Sequence, residues 1–499
     1  MSVLQRYLAA AGDAISPELV AWLANLECVA TVDAGIARNV VQELADQRGH
    51  LKMIASENFS SLATQAAMGN LLTDKYAEGY PHHRFYAGCD NVDSIEARAV
   101  DLAKSLFGAQ HAYVQPHSGA DANMVAYWAI ISKRVQEPAL AKLGITDPSK
   151  MSREDWEVLR AELGSHKLIG LNYYSGGHLT HGYRHNVSAR MFDAICYDVD
   201  PETQRINYDM LRELVLKERP LILLTGYSAY PRHIDFKRMR AIADEVGATF
   251  MVDMAHFAGL VAGKVFSGDY DPVAHAHVVT STTHKTLRGP RGGLVLCTEE
   301  YGEWVDKGCP LLLGGPLPHV MAAKAIAFKE ASEPAFQEYA ANIVRNSQAL
   351  ATAFTDAGVK LTTDGTDNHL MVLDVRDFGI NGRQGESALR EAGITLNRNS
   401  IPFDPNGAWY TSGLRLGTPA LTTLGMGPDE MREIADVIVK VLSNTQPATI
   451  AKGKNAGKPS KAKYVADADV MADAQARITT LLAGFPLYPE LDAEWLSQI

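Results

Sequence analysis

The sequence predicts an α/β protein whose sheet is covered by helices on both faces, and three observations carry that prediction. Short apolar runs recur at Leu168–Leu171, Ala194–Tyr197, Leu221–Leu224, Ala248–Val252, His277–Thr280 and Gly293–Cys297, with helical stretches such as Phe236–Val246 between them. Polar clusters stand just after several of these runs, at Ser175-Gly-Gly-His178, Ser228-Ala-Tyr-Pro and Asp253-Met-Ala-His256. In open α/β sheets ligands gather just beyond strand ends, so these clusters mark a binding edge. Finally, 499 residues at 46% hydrophobic and 21% charged suffice for about two to three domains with large cores.

Composition also excludes some functions. The 47 basic and 58 acidic residues give a formal charge of −11, which argues against a general nucleic-acid surface. Cys28, Cys89, Cys196, Cys297 and Cys309 are scattered and never form a Cys-x-x-Cys pair, so no disulfide framework or metal site is expected and a reducing compartment is. The apolar run near Leu8–Ala11 is cut by Gly12 and Asp13, and no basic cluster precedes it. Neither a cleaved signal nor a membrane span is expected, and the expected location is cytoplasmic.

Taken in order, residues 1–60 read as a helical arm. Ser16-Pro17-Glu18 is a helix start, and Leu19, Trp22, Leu23 and Leu26 mark an apolar stripe that calls for a partner surface. Residues 74–91 are aperiodic and dense in aromatic and titratable groups, including Tyr76, Glu78, His82, His83, Arg84 and Tyr86, which suits a binding loop. A helix from Asp93 to Phe107 stops at Gly108. Then come a strand at Ala112–Val114, a turn at Gln115–Gly119 and a helix from Ala120 to Ile131. A strand, a Ser-Gly turn and a helix N-terminus aim free N–H groups at one point, a geometry that suits a phosphate. Residues 132–167 form a charged excursion with a helix cap at Ser152. The alternating strands then complete a large domain over 61–330. Beyond Glu330, a long helix toward Ala353, strands at Asn368–Val375 and Leu414–Leu416, and a helix at Pro428–Leu442 outline a smaller α+β domain over 331–499. The lysines of 452–463 are read as a solvated loop.

Two residues suggest chemistry. Lys285 follows an apolar run and four hydroxyl residues, sits beside His284, and precedes a Gly- and Pro-rich turn. Burial and neighbouring positive charge should lower its pKa and free an amine that can condense with an aldehyde. Asp253 closes the run Thr-Phe-Met-Val at the rim of a buried sheet, where a carboxylate needs a cationic or donating partner. A pyridinium nitrogen would serve. With a phosphate turn and a histidine free to stack on a ring, the set describes a pyridoxal-phosphate site.

At this point the chain resembles the serine hydroxymethyltransferase family, with the aspartate-aminotransferase-like (type I) pyridoxal-phosphate fold. The matching stretches are Ile54–Asn58, Lys75–Pro81, Gln115–Gly119, Gly176–Gly182, Val252–His256, Thr282–Thr286 with Gly289–Gly293, Gly365–His369 and Thr411–Arg415, in family order. The resemblance implies conversion of serine and tetrahydrofolate to glycine and methylenetetrahydrofolate. It also implies pyridoxal 5'-phosphate bound covalently on Lys285, with Asp253 at the pyridine nitrogen, His178 stacked on the ring, and Ser228 and His256 near the phenolic oxygen. Ser118, Gly119, Ala120 and His284 would hold the phosphate, together with Tyr76 and the Gly314-Gly315 turn of a neighbouring subunit. Arg415 would clamp the substrate carboxylate, with Ser56, Tyr86 and His256 beside it. Glu78, kept in its acid form by burial beside Tyr76 and Tyr86, would move protons. Tyr173, Gly177, Leu179, Asn399, Gly407, Ala408 and Trp409 would meet the folate. An obligate homodimer with shared sites, or a pair of such dimers, follows from the same resemblance. Ala120 replaces a usual serine, Phe85 a tyrosine and Tyr173 a leucine, so one phosphate contact and several folate contacts differ from the common pattern. The same cofactor also serves β-hydroxy-amino-acid aldolases and alanine racemases, and folate dependence discriminates among them.

Overall fold

A computed structural model describes all residues, 1–499. Seven strands form its main sheet: β1 (His111–Tyr113), β2 (Lys167–Leu171), β3 (Asp193–Tyr197), β4 (Ile222–Gly226), β5 (Thr249–Asp253), β6 (Val278–Thr282) and β7 (Gly293–Cys297). Their spatial order is β1-β7-β6-β5-β4-β2-β3. All neighbours are parallel except β7, which runs antiparallel to both β1 and β6. That single reversal leaves the C-terminal ends of β1, β4, β5 and β6 on one edge, where Gly226 pairs with Asp253 and Asp253 with Thr280.

The strands are apolar on both faces because each face meets helices. Leu223, Phe250 and Val252 enter one core with the helices Asp90–Phe107 and Phe236–Asp244. Ile222, Leu224, Met251 and Val278 point the opposite way, to Ala122, Val125 and Tyr127 of the helix Gly119–Ile131. Every strand expected in this sheet forms, with ends shifted by at most two residues as hydrogen bonding selects them.

A second sheet, β8 (Lys360–Leu361), β9 (Leu370–Asp374), β10 (Asn397–Asn399) and β11 (Gly413–Gly417), is antiparallel in the order β8-β9-β11-β10. Its core includes Leu51 and Met53, brought in by the parallel pairing of Leu51–Lys52 with Ile394–Thr395. The helix Pro334–Asp356 joins the two bodies, burying Phe336 and Ile343 in the first core and Leu350 and Phe354 in the second.

Three local expectations are corrected. The helix expected to run on from Glu330 is interrupted: one helix ends at Ala331 and another starts at Pro334, whose ring supplies no N–H and whose fixed φ suits a first turn. The 452–463 lysine stretch is only partly a loop, since Pro459–Ala466 is a strand paired with Thr445–Thr449 in an alternately exposed hairpin. The arm's stripe is also covered by the chain itself: Leu19, Leu23 and Leu26 pack with Phe59, Leu487, Leu491 and Leu496. Ser16 and Ser152 do cap their helices. No helix is long and apolar enough to cross a membrane.

Candidate active site

The site grows from the shared edge of β5 and β6. Asp253, the last residue of β5, is buried, and both its oxygens accept hydrogen bonds while Oδ1 keeps an acceptor position open. Oδ2 accepts from Asn123 Nδ2 at 2.9 Å and meets His181 Nε2 at 3.1 Å, while Oδ1 accepts the Ala255 N–H at 3.0 Å. Asn123 is itself fixed, because its Oδ1 accepts from Thr280 Oγ at 2.5 Å and its amide also donates to Thr180 at 2.8 Å. Burial alone would raise the Asp253 pKa. The His181 hydrogen bond and charge, with the Asn123 donor, outweigh it, and the carboxyl is held below the usual range. A carboxylate is therefore kept ionised inside the fold.

Lys285 stands one turn beyond β6 and is partly buried. Burial lowers its pKa to about 8; Asp253 opposes this, and Arg415 and Arg291 add to it. The positive neighbours are thus arginines, where the sequence pointed to His284. The Lys285 loop is stitched to the β5 loop by Thr286 Oγ donating to the His256 carbonyl at 2.8 Å. Asn58 Nδ2 holds the Lys285 carbonyl at 2.9 Å.

Four neutral histidines surround this pair. His178 is lowered to about 4 by burial and His181, and its Nδ1 lies 2.7 Å from Thr180 Oγ. His256 falls well below its ordinary value and His369 to about 3, in each case first by burial and then by the charges of Lys285 and Arg415. Their rings stack, with His256 Nδ1 3.2 Å from His369 Nε2. Burial and Lys285 bring His284 to about 3. The small-domain strand β11 contributes Arg415, which donates to the Ser228 carbonyl at 2.7 Å and to Asn397 Oδ1 at 3.0 Å. Both acceptors are neutral, and burial brings the guanidinium down to about 10. A desolvated fork with no carboxylate among these bonds suits a carboxylate ligand.

A cleft of about 390 Å³ opens between the two bodies and is lined by Tyr173, Gly177, His178, Leu179, Ser228, Asn399, Ala408 and Arg415, among others. Five of the expected folate positions therefore share it with three cofactor and substrate positions. Gly407 lines the next cleft with Ala408, and Trp409, 62% exposed, lies under Arg383 and Arg398. A larger groove beside it, about 440 Å³, is lined by Asp46, His50, Lys52 and Arg390 and contains none of the Lys285 network.

Ser118 caps the helix Gly119–Ile131, accepting from the Asp121 N–H at 3.2 Å and donating to its carboxylate at 2.9 Å. The first-turn N–H groups of Gly119 and Ala120 have no intrahelical acceptor. Ser56 lies in the partly buried Ile54–Asn58 turn. By contrast, Tyr76, Glu78 and Tyr86 form a cluster of their own: both hydroxyls donate to the Glu78 carboxylate at 3.2 Å, and the Tyr76 ring lies beside Gly315. Tyr76 is 56% and Tyr86 46% exposed, so the burial expected around Glu78 is not met within one chain. The sequence reading assigned no role to Asn123, Thr180, His181, His369 or Asn58. The last four lie inside motifs it quoted, and Asn123 is a polar residue on an otherwise apolar helix face, a signal that could have exposed it.

With this geometry in view, the comparisons agree. A family model described as serine hydroxymethyltransferase matches residues 29–141 and 137–438. Among curated proteins, the serine hydroxymethyltransferase of Treponema pallidum is 59% identical over 99% of this chain and 86% of its own length. Those of Salinispora tropica and Mycolicibacterium smegmatis are each 56% identical, over 95% and 94% of this chain and 98% and 94% of their own lengths. The chain belongs to the serine hydroxymethyltransferase family.

Proposed function

We propose that the chain interconverts serine and glycine, passing the one-carbon unit to and from tetrahydrofolate, with pyridoxal phosphate attached to Lys285. One observation carries the reading beyond family membership: a lysine of lowered pKa lies within the electrostatic reach of a buried carboxylate held ionised by His181 and Asn123. The residues present fit the cofactor. The Ser228 Oγ and His284 Nδ1 atoms are buried without a partner, which leaves a hydroxyl and a ring nitrogen to meet the polar groups of the cofactor. When bound, the cofactor supplies an electron sink for the Cα–Cβ bond of serine.

The chain's own residues do the rest. Asp253 would hold the proton on the pyridine nitrogen, and His178, anchored through Thr180, would lie against the ring. Ser118, Gly119, Ala120 and His284 would receive the phosphate, with Tyr76 and Gly315 of a second subunit. Ser228 and His256 would sit near the phenolic oxygen. Arg415 would orient the serine carboxylate, beside Ser56 and Tyr86, so that the bond to be cleaved faces the sink. Glu78 would move the proton between the serine hydroxyl and the folate amine. Tyr173, Gly177, Leu179, Asn399 and Gly407–Trp409 would close over the folate and exclude water. A division into 1–60, 61–330 and 331–499 is part of the proposal and is supported by a cleft lined from both 173–229 and 386–415, and the five free cysteines suit a cytoplasmic location. Glycine formation from serine should require tetrahydrofolate. Equal rates with and without it would replace the reading by a simple aldolase.

Arg415→Lys should raise KM for serine by about 10- to 100-fold, the loss expected when a hydrogen-bonded charged fork becomes a point charge. Cofactor affinity should change much less. Comparable losses of both would make Arg415 a structural residue.

The site is proposed to be completed by a two-fold partner, with pairing of dimers a further step. The 76–86 cluster and the Gly314-Gly315 turn lie together in an exposed apolar region with Phe85 and Leu311, which suits burial against a second copy. Lys285→Ala protein mixed with Tyr76→Phe protein should therefore regain activity as hybrids with one site built from two intact halves. Inactive hybrids, with subunit exchange confirmed, would refute sharing.

A further inference from the structure

Lys324 is 1% exposed and far from any surface role. Its ammonium spends all three donors on backbone carbonyls, those of Val114 at 2.5 Å, Pro116 at 3.0 Å and Gly293 at 2.8 Å. The rest of its helix face is apolar: Val320, Met321, Ala327 and Phe328 are buried around it. A methionine would fill such a space without the cost of desolvating a charge. The acids that act on it most are Glu96 and Asp121, and both are engaged elsewhere, Glu96 with Arg84 and Gln115 and Asp121 with Ser118. Carbonyl dipoles alone bond the cation, and burial draws its pKa down to about 7.

The carbonyls it chooses are informative. Val114 and Pro116 lead into the Gln115–Gly119 turn, and Gly293 opens β7 at the end of the loop that carries His284 and Lys285. The Pro116 carbonyl also accepts the Gly293 N–H at 2.8 Å, so turn and loop meet at one atom. On the loop side Thr283 is pinned twice, its N–H to Gly292 at 3.1 Å and its Oγ to Pro290 at 2.6 Å. The fit is tight. A Cβ at Gly292 would come within 2.5 Å of Lys324 Cε, and one at Gly293 within 2.2 Å of the Ser118 carbonyl.

We infer that Lys324 is a positioning residue for the cofactor phosphate: its ammonium locks the phosphate turn to the Lys285 loop and places a positive charge behind the turn. This rests on the pyridoxal-phosphate reading above. A purely structural lysine would support every ligand of the site alike, whereas this role favours ligands that carry the phosphate. The test is titration of cofactor-free protein with pyridoxal phosphate and with pyridoxal, which lacks the phosphate, followed by visible absorbance. Lys324→Met should weaken pyridoxal phosphate about 10- to 100-fold, the range for one hydrogen-bonded charge, and leave pyridoxal within about twofold. Gly292→Ala, which keeps the lysine but pushes its stem aside, should show the same selective loss and carries the test if Lys324→Met does not fold. Equal weakening of both ligands, or unchanged pyridoxal phosphate binding in a folded variant, would overturn the role. Wild-type protein that binds neither ligand would instead overturn the underlying reading, and this assignment with it.

Discussion

Lys285→Ala is expected to abolish the borohydride-trappable link to pyridoxal phosphate and to lower serine cleavage by at least about 10²–10⁴-fold, the contribution of one positioned proton-transfer group. Two lysines in this chain have strongly depressed pKa values, the partly buried Lys285 at about 8 and the buried Lys324 at about 7, so pKa alone does not choose between them. Hydrogen bonding does. Lys324 has no donor left and no room, because three carbonyls and Gly292 enclose its head. At Lys285 the carbonyl is the tethered group, held by Asn58, and the amine feels the charges of Asp253 and Arg415. Near neutral pH a group titrating at about 8 keeps a useful fraction of free amine, while Asp253 limits how far the pKa falls. Peptide mapping after reduction checks the assignment directly. A label recovered on a peptide containing any other lysine would transfer the role elsewhere, and retention of the trapped link in Lys285→Ala would do the same.

Much of this was legible in the sequence because strand ends announce themselves. Short apolar runs located all six later strands of the main sheet, and the residues that follow them, Asp253, Ser228 and Lys285, fall on one edge because only β7 reverses. Three kinds of feature were not legible. The partner of a donor such as Asn123 lies across elements: its place on an apolar helix face marks it as unusual, but nothing there names the carboxylate 130 positions away. Positive charge near Lys285 comes from Arg415 and Arg291, which folding delivers from another domain and from the far side of a turn, while adjacent His284 is neutral. Burial that depends on what a surface meets cannot be read from a stripe: the arm's leucines are met by the chain's own C-terminus, while the Tyr76–Glu78–Tyr86 cluster touches Gly315 and leaves both tyrosines about half exposed.

Asp253→Asn should cost about 3–5 kcal/mol of transition-state stabilisation, or roughly 10²–10³·⁵ in kcat/KM, if the carboxylate pairs with a pyridinium in the cleft. The substitution keeps volume and shape, so its effect isolates charge and hydrogen-bond direction. It cannot satisfy the existing network either. Oδ2 receives Asn123 and His181 while Oδ1 receives the Ala255 N–H, so both oxygens are acceptors. An asparagine amide has one oxygen, and whichever way it turns, its NH₂ faces a donor. Part of the loss is therefore structural and appears without cofactor as a lower melting temperature. The catalytic part appears only with cofactor. Measuring kcat/KM at cofactor saturation, with bound pyridoxal phosphate confirmed by absorbance, separates the two. The Asn123→Ala variant supplies the control, since it removes a neutral donor to Asp253 while leaving the carboxylate charged, and should cost only about 1.5–3 kcal/mol, the worth of a hydrogen bond to a charged group. If Asp253→Asn and Asn123→Ala fell equally, hydrogen-bond geometry alone would explain the site. If Asp253→Asn stayed within tenfold of wild type at full cofactor occupancy, the carboxylate would have no pyridinium to hold.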